Sequence, residues 1–596
     1  MMGATGGVAA GPASRPYAAC TGRPNEQAQY LSRSIPRSGG MLTLPEPRAD
    51  AGAGCHDRPR RVPFLIALLL LTLLSPHVAM AAEEGWEALR RVPIQAGGRV
   101  KPLDSFARET VRTLVGASAY RGQDPLRTVM AIAAEPSAWE SVPLLAVPYR
   151  PLCERLGMAP TVAAISSAQI FSERKLMPLL PPLVAKQQSH EPLTPLDQEV
   201  SDLYQRMLAF HELTTGEAFR VMPSPPAGDG VWRAPTAGSP SAEAWRALVA
   251  AARDPNDSAL VEAVTRWRAA SMAGRSAAWP LAWRLDLEVR YNEVQPFRVA
   301  WLGYGLAALL IALGFHWPVG RRLGLSILGL TLVLHVAGLA TRIVLANRPP
   351  VSNLYESMLW LACVLVVLAL GFERATRLGY AALAAAVMGG ITLVLADQLP
   401  FEPGIHPVIA VLRSPLWLTI HVLTIVASYA ALTLATGVAH VAAGLYLARR
   451  PAAALANALQ LLYRIIQIGV ILLAAGVMLG ALWANASWGR YWGWDPKETW
   501  ALITLLWFIA ILHGRFAGWI RGVGLAVATI GGFLLLLMTY YGVNYFLVGL
   551  HSYAGGHATR PWPPLLVTYL VVEGLFVGLV ALAARHRARH VSQADA

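Results

Sequence analysis

Residues Trp483 to Trp500 concentrate chemistry that the rest of the chain does not show. The run Trp483-Ala-Asn-Ala-Ser-Trp488-Gly-Arg490-Tyr491-Trp492-Gly-Trp494-Asp495-Pro-Lys497-Glu498-Thr-Trp500 holds five tryptophans and one tyrosine within 18 residues. Aromatic faces stack on flat rings, and Gly489 and Gly493 let the backbone bend and come close to one. Arg490 and Lys497 suit carboxylates such as those on a haem edge. The alternative is an aromatic belt at a membrane interface, but belts are scattered and this segment interleaves its rings with Gly, Asp, Lys and Glu. Asp495-Pro496 reads as a helix entry, with Asp495 as cap, Pro496 at the first position and Glu498 at the positive end. Two histidines flank the segment, His421 before it and His551 after it. A lone histidine is usually structural, but a neutral imidazole is also a standard axial ligand for haem iron. Two of them beside an aromatic, cationic shelf suggest a bis-histidine site. His513 closes an apolar run just before Arg515 and is either a functional intramembrane group or one that reaches the interface. His335 lies inside another apolar run, and His406 and His557 read as solvated.

The elements that must position these groups are membrane helices. The chain has 596 residues, 55% of them hydrophobic and 14% charged, too few charges for a soluble surface of this size. About nine apolar runs follow residue 298, at roughly 299–316, 323–345, 354–372, 378–397, 416–447, 465–485, 499–513, 522–541 and 563–583. Each is close to the length that crosses a bilayer. The net charge of +14 invites a nucleic-acid reading, but the arginines sit in short loops between spans, so no nucleic-acid partner is expected. Arg321, Arg322, Arg374, Arg377, Arg449, Arg450, Arg464, Arg515, Arg521, Arg585, Arg587 and Arg589 fall on one side, which is therefore the cytoplasm. Arg348, Arg413, Arg490, Lys497 and Arg560 fall on the other. Cys20, Cys55, Cys153 and Cys363 form no CxxC pair, so the chain carries no redox dithiol, zinc motif or haem-attachment motif.

Residues 1–57 show no periodicity and read as disordered or as a misassigned start, with Met41 as a later candidate. Arg58, Arg60 and Arg61 precede the apolar run Val62–Leu74, and Ala79-Met80-Ala81 offers a cleavage site. That makes 58–81 a signal peptide or an uncleaved anchor. Residues 82–297 are expected to be an exported, mostly helical domain, with amphipathic stretches at Leu103–Val115 and Ala242–Ala251 and a loop at Ala227–Ser241. Turns are expected at Pro93, Gly97-Gly98 and Pro102, and Asp104, Arg108 and Glu109 read as a solvated or capping set. The membrane domain spans 298–585, followed by a cytoplasmic tail at 586–596. The fold class is thus an all-α polytopic membrane protein with about nine spans behind an exported N-terminal domain.

The Trp488–Trp500 run resembles the tryptophan-rich "WWD" signature of the haem-handling proteins of cytochrome c biogenesis. The wider resemblance covers roughly 328–555. Leu416-Trp-Leu-Thr-Ile-His421-Val, Tyr540-Tyr-Gly-Val-Asn-Tyr-Phe546, Gly549-Leu-His551-Ser-Tyr553 and Pro349-Pro-Val-Ser-Asn-Leu-Tyr-Glu356 are similar to the CcsA/ResC branch of system II, rather than to CcmC or CcmF of system I. The resemblance implies haem b as the group handled, with Trp488, Arg490, Tyr491, Trp492, Trp494, Asp495 and Trp500 around it and His421 and His551 as its external iron ligands. It implies that His513 ligates a second, intramembrane haem whose other ligand comes from a CcsB/ResB-like membrane protein. His335 is a weaker substitute for that ligand. It implies an apocytochrome c as partner and a separate thioredoxin-like reductant that acts on it. The activity implied is the haem lyase function of a holocytochrome c synthase complex, to which this chain adds no nucleophile of its own. A haem exporter or chaperone without ligase activity is the alternative, and a transporter of another solute is a further one. Residues 82–297 do not resemble the ResB part of fused proteins. The stretch Gly97-Gly-Arg-Val-Lys-Pro-Leu-Asp-Ser-Phe-Ala-Arg108 is similar to a segment that precedes some CcsA-type domains.

Overall fold

Gly97 and Gly98 set the first element of the N-terminal region. Both take positive φ (58° and 78°), which a two-residue turn between antiparallel strands needs and glycine supplies without strain. The computed structural model describes residues 84–594 apart from 160–161, 173–174, 190, 192, 225–228, 236–237, 254–256, 273–280, 400, 402, 408–414, 548 and 552–563. In it β1 (Pro93–Ala96) pairs with β2 (Arg99–Pro102) across that turn, with Pro93 opposite Pro102. The two prolines expected as turns therefore close the far end of a hairpin. A second small antiparallel pair joins Pro143–Ala146 to Ala164–Ser166. Helices account for most of the rest. They include α1 (Leu103–Val115), as the amphipathic pattern predicts, and a helix over Pro240–Ala251 that starts at the end of the expected loop. Their apolar faces meet in a core that includes Phe106, Trp245 and Trp267. The proposed signal segment, 58–81, lies outside the described residues.

Asp104, Arg108 and Glu109 are not a solvated set. Asp104 is buried and receives Arg90 (2.6 Å), Arg108 (2.8 Å) and the Asn292 amide (3.0 Å). Glu109 pairs with the buried Lys101. Arg99 holds the buried Glu288 through both of its terminal nitrogens, at 2.6 and 2.8 Å. Charges taken out of water need partners of this quality, and one hydrophobic neighbour cannot supply them.

Asn292 and Glu288 lie on α2 (Ala282–Val294), which leads into the spans. Gln295 turns left-handed (φ 46°) ahead of Pro296, so the first span is a broken rod, α2 followed by α3 (Pro296–Leu313), and starts earlier than expected. Then come α4 (Pro318–Ala346), α5 (Leu354–Thr376), α6 (Tyr380–Gln398), α7 (Leu423–Leu447), α8 (Ala452–Trp488), α9 (Pro496–Phe516), α10 (Gly524–Leu537) and α11 (Pro564–Ala594). Among the described residues nine helical segments are long and apolar enough to cross a membrane. Helices are the open-chain solution there, since they satisfy their backbone internally. The protein is a polytopic membrane protein, with lipid-compatible side chains such as Ile471, Met478 and Leu575 on its exterior.

Because the chain alternates direction, the described residues of 347–353, 403–407, 489–495 and 549–551 share one end of the bundle. A buried staple knits that end together. Glu356 receives Arg342 (2.8 Å), Arg348 (2.7 Å) and the Ser352 backbone amide (3.0 Å). The N-terminal hairpin docks there too. Arg99 donates to the Ile405 carbonyl (2.8 Å), and a Cβ at Gly98 would come within 2.7 Å of Pro407. His406 is therefore half-buried beneath Gly97 rather than simply solvated.

Candidate functional site

His421 is carried by helix. Residues Leu418–Val422 form a π-helical turn ahead of α7, a local widening often found where a helix must aim a functional side chain. Its Nδ1 lies 3.0 Å from the Gly476 carbonyl on α8, so Nδ1–H donates and Nε2 keeps its lone pair. The approach depends on small residues. A Cβ on Gly480 would sit 2.8 Å from the imidazole Cε1, and one on Gly476 would meet the Ile425 side chain at 2.6 Å. Gly476 and Gly480 are the ends of a G-x-x-x-G step, which lets two helices touch. One turn on, the Trp483 indole stacks on His421 with centroids 5.8 Å apart and planes 22° apart.

His551 is carried by a loop. Its Nδ1 lies 2.8 Å from Asp495 Oδ1. Asp495 also accepts the Lys497 amide (2.9 Å) and the Leu550 amide (2.6 Å), while Glu498 accepts the Gly493 and Asp495 amides (2.8 and 3.2 Å). The expected cap of α9 is thus present as a full capping box, and the same carboxylate orients a histidine. Burial works against the charge on Asp495, but the donors from His551, Lys497 and Leu550 outweigh it and hold the group below the usual aspartate range. Gly549 makes room for the carboxylate, since a Cβ there would come 2.5 Å from Asp495 Oδ2.

The two histidines meet on one ring. Trp483 is 6.0 Å from His551 as well as 5.8 Å from His421, and Trp488 lies edge-on to His551 at 5.1 Å. Trp483 and Trp488 belong to the last turns of α8, so the expected sixth span, 465–485, is extended and the Trp-rich segment is half helix. At the rim Trp492 and Trp494 are perpendicular at 5.8 Å, and Tyr491 and Trp494 are exposed. Trp494 takes a left-handed φ of 55°, a conformation that bulky residues hold only when neighbours enforce it. Arg490 folds over Gly493, in the space a side chain there would need. Lys497 is engaged by Asn544 Oδ1 at 3.1 Å. Trp500 lies one turn into α9, and its carbonyl receives Thr539 across from α10 (3.0 Å).

The other histidines lie apart. His513 is exposed at the far end of α9, and its Nδ1 donates back to the Ile509 carbonyl at 2.9 Å. His335 is fully buried on α4, edge-on to Phe297 and 3.0 Å from the Tyr304 hydroxyl, in the packing of the first two spans. His557 lies outside the described residues. Gly476, Gly480, Trp483 as a common wall and the Asp495–His551 bond were not anticipated. The G-x-x-x-G spacing was the one signal in the sequence that pointed to any of them.

A Cytochrome C assembly protein family model matches residues 351–551, a stretch that contains both histidines and the whole Trp-rich segment. "Cytochrome c biogenesis protein CcsA" of Synechococcus sp. (strain CC9605) is 36% identical over 291 residues, covering 42% of this chain and 94% of that protein. The chain belongs to the CcsA family of cytochrome c biogenesis proteins. The CcsA protein of Prochlorococcus marinus (strain MIT 9313) is 33% identical over 297 residues, covering 42% of this chain and 93% of the relative. "Protein NrfI" of Wolinella succinogenes is 31% identical over 491 residues, 77% of this chain and 53% of NrfI. The chain therefore spans about half the length of NrfI, and at that coverage the likeness extends beyond the CcsA part into the N-terminal region.

Proposed function

We propose that this CcsA-family protein binds haem b at the outer face of the bacterial cytoplasmic membrane and presents it for attachment to CxxCH apocytochromes c, together with a CcsB/ResB-like partner. One observation supports the reading most. His421 and His551, far apart in sequence, share one indole wall, and each has its Nδ1 held by an acceptor on another element. Outer-shell anchoring of this kind fixes ring orientation and raises ligand basicity. The bias of loop arginines toward the opposite end of the bundle supports a cytoplasmic location for that end, and with it an outer location for the Trp-rich end and the N-terminal domain.

The chemistry is an addition. Each substrate thiol forms a C–S bond to one vinyl group of the haem substrate, and the thiol hydrogen ends on the neighbouring vinyl carbon. No group on the protein is consumed, so what this chain supplies is orientation. The rim formed by Tyr491, Trp492 and Trp494 offers faces to the ring. His421 and His551 hold the iron until the histidine of the CxxCH segment replaces one of them. Arg490 is placed for a propionate, whereas Lys497 must first leave Asn544. The substrate thiols are kept reduced by a thioredoxin-like protein, since the described cysteines, Cys153 and Cys363, are separately buried. His513, exposed on the far half of α9, takes the role of ligand to a second haem whose other ligand the partner contributes.

The test is His421→Gly and His551→Gly in protein coexpressed with a ResB partner and an apocytochrome reporter, without system I proteins. Each substitution is expected to remove or shift the Soret band of the purified complex and abolish covalent haem on the reporter, and added imidazole is expected to restore both in part. Unchanged spectra in both variants would remove the ligand assignment. Haem that binds but is never attached would establish the exporter or chaperone reading instead.

A further inference from the structure

α5, α6, α7, α10 and α11 surround a cavity of about 850 Å³ that runs from Leu354, Phe401 and Phe546, at the same end of the bundle as the Trp-rich segment, down to His440. Its walls are almost wholly apolar, including Leu354, Met388, Leu395 and Leu537. Among the described residues the lining includes one histidine and one carboxylic acid, His440 and Glu573, with His440 Nε2 3.0 Å from Glu573 Oε1. His440 Nδ1 donates to the Thr436 carbonyl at 2.8 Å, and its ring stacks on Phe576 at 5.3 Å. His440 thus bridges the Thr436 carbonyl of its own helix and the Glu573 carboxyl group of α11. One turn away on α11, the Tyr569 hydroxyl is buried beside the Glu573 carboxyl group.

We infer that this cavity binds a neutral, lipid-soluble quinone-type molecule, with its ring at the His440–Glu573 pair and its apolar tail along the cavity toward Phe401 and Phe546. Three features select that class. His440 lies 19 residues beyond His421 on a continuous helical path, roughly 28 Å at 1.5 Å per residue, so the cavity's polar end is a site separate from the Trp-rich end. It also lies well inside α7 and α11, at a depth where a charged lipid headgroup does not sit. Among the described residues no lysine or arginine lines the cavity, so the phosphate of a lipid or the propionates of a haem would meet Glu573 without a counter-ion. A quinone carbonyl accepts from Tyr569, and a quinol hydroxyl donates to Glu573. Ionisable groups set into an apolar wall between spans mark a functional site by default.

Full-length protein in nanodiscs, titrated with radiolabelled decylubiquinone, tests this independently of haem binding. One saturable site is expected. Glu573→Gln, which removes the carboxyl group, and Val387→Trp, which fills the cavity from its lipid side, are each expected to weaken binding at least ten-fold, with thermal unfolding close to wild type. Non-saturable uptake by the wild-type protein would overturn the proposal. So would equal affinity in both variants, or native mass spectrometry showing a phospholipid that decylubiquinone does not displace.

Discussion

The two candidate ligands are held by opposite means. His421 is seated by shape: a π-helical turn aims it, Gly476 and Gly480 leave it room, and one backbone carbonyl fixes its tautomer. His551 is seated by charge: a loop carries it, and a carboxylate with three donors holds it. A helix-borne group keeps its position when one hydrogen bond is lost, because packing still confines it. A loop-borne group depends on its clamp. The arrangement therefore pairs a fixed ligand with a releasable one. In the proposed reaction one iron ligand must give way to the substrate histidine, and the comparison nominates His551.

The largest effect that would break this comparison is steric. In Gly480→Leu the new side chain starts within 2.8 Å of His421 Cε1 and must expel the imidazole. Haem content of the purified protein is expected to fall more than 100-fold, as in His421→Gly, because the helices cannot part far enough to accommodate it. If Gly480→Leu binds haem normally, the helix-borne side is not rigid.

Asp495→Asn sharpens the other side. The amide keeps a cap for α9 but loses the charge that fixes His551. Loss of such an outer-shell partner typically weakens metal binding about 10–100-fold. We expect that range for haem, read by titration against the Soret band, with the off-rate rather than the on-rate carrying the change. Equal loss from both His421-side and His551-side contacts in ligand-field spectra would contradict the division.

The same bond predicts a pH dependence confined to one side. Asp495 is held below the usual aspartate range, so the stability it adds is fully present above its unfolded pKa and is lost as pH falls through the lowered folded value. The difference in thermal stability between wild type and Asp495→Asn is therefore expected to persist at neutral pH and to shrink below about pH 4. Parallel curves down to pH 2 would show that the carboxylate contributes as a shape and not as a charge.

The spans and the Trp-rich segment were legible in the sequence because charge-free length and residue type are one-dimensional properties. The histidines could be nominated for the same reason. What was not legible lies in contacts across the fold. Asp495 and His551 are separated in sequence by two helices, α9 and α10, and nothing local says that a capping residue also grips a distant ring. Asp104 was misread because α1 shows its acid at a helix start, where solvated caps are common, while the arginines that bury it come from other elements. The hairpin at 93–102 escaped because four-residue strands are too short for a periodicity to show, and prolines that usually mark turns here pair across its open end.

Trp483 is the one residue on which the two sides meet, and its substitution gives the smallest and most discriminating effect. Trp483→Phe keeps an aromatic face but is too small to touch both imidazoles as the indole does at 5.8 and 6.0 Å. His421 retains the Gly476 carbonyl and its glycine seat, and His551 retains Asp495, so haem affinity is expected to fall only about 2–5-fold, in line with the ~0.5–1 kcal/mol of an aromatic contact. The informative readout is electron paramagnetic resonance of the oxidised haem complex, which reports the relative orientation of two axial imidazoles. If the indole sets that angle, the spectrum changes while affinity barely moves, and the change is reproduced by Trp483→Leu with a larger loss. If the spectrum is unchanged, each histidine is positioned by its own anchor alone, and the shared wall is packing that neither ligand requires.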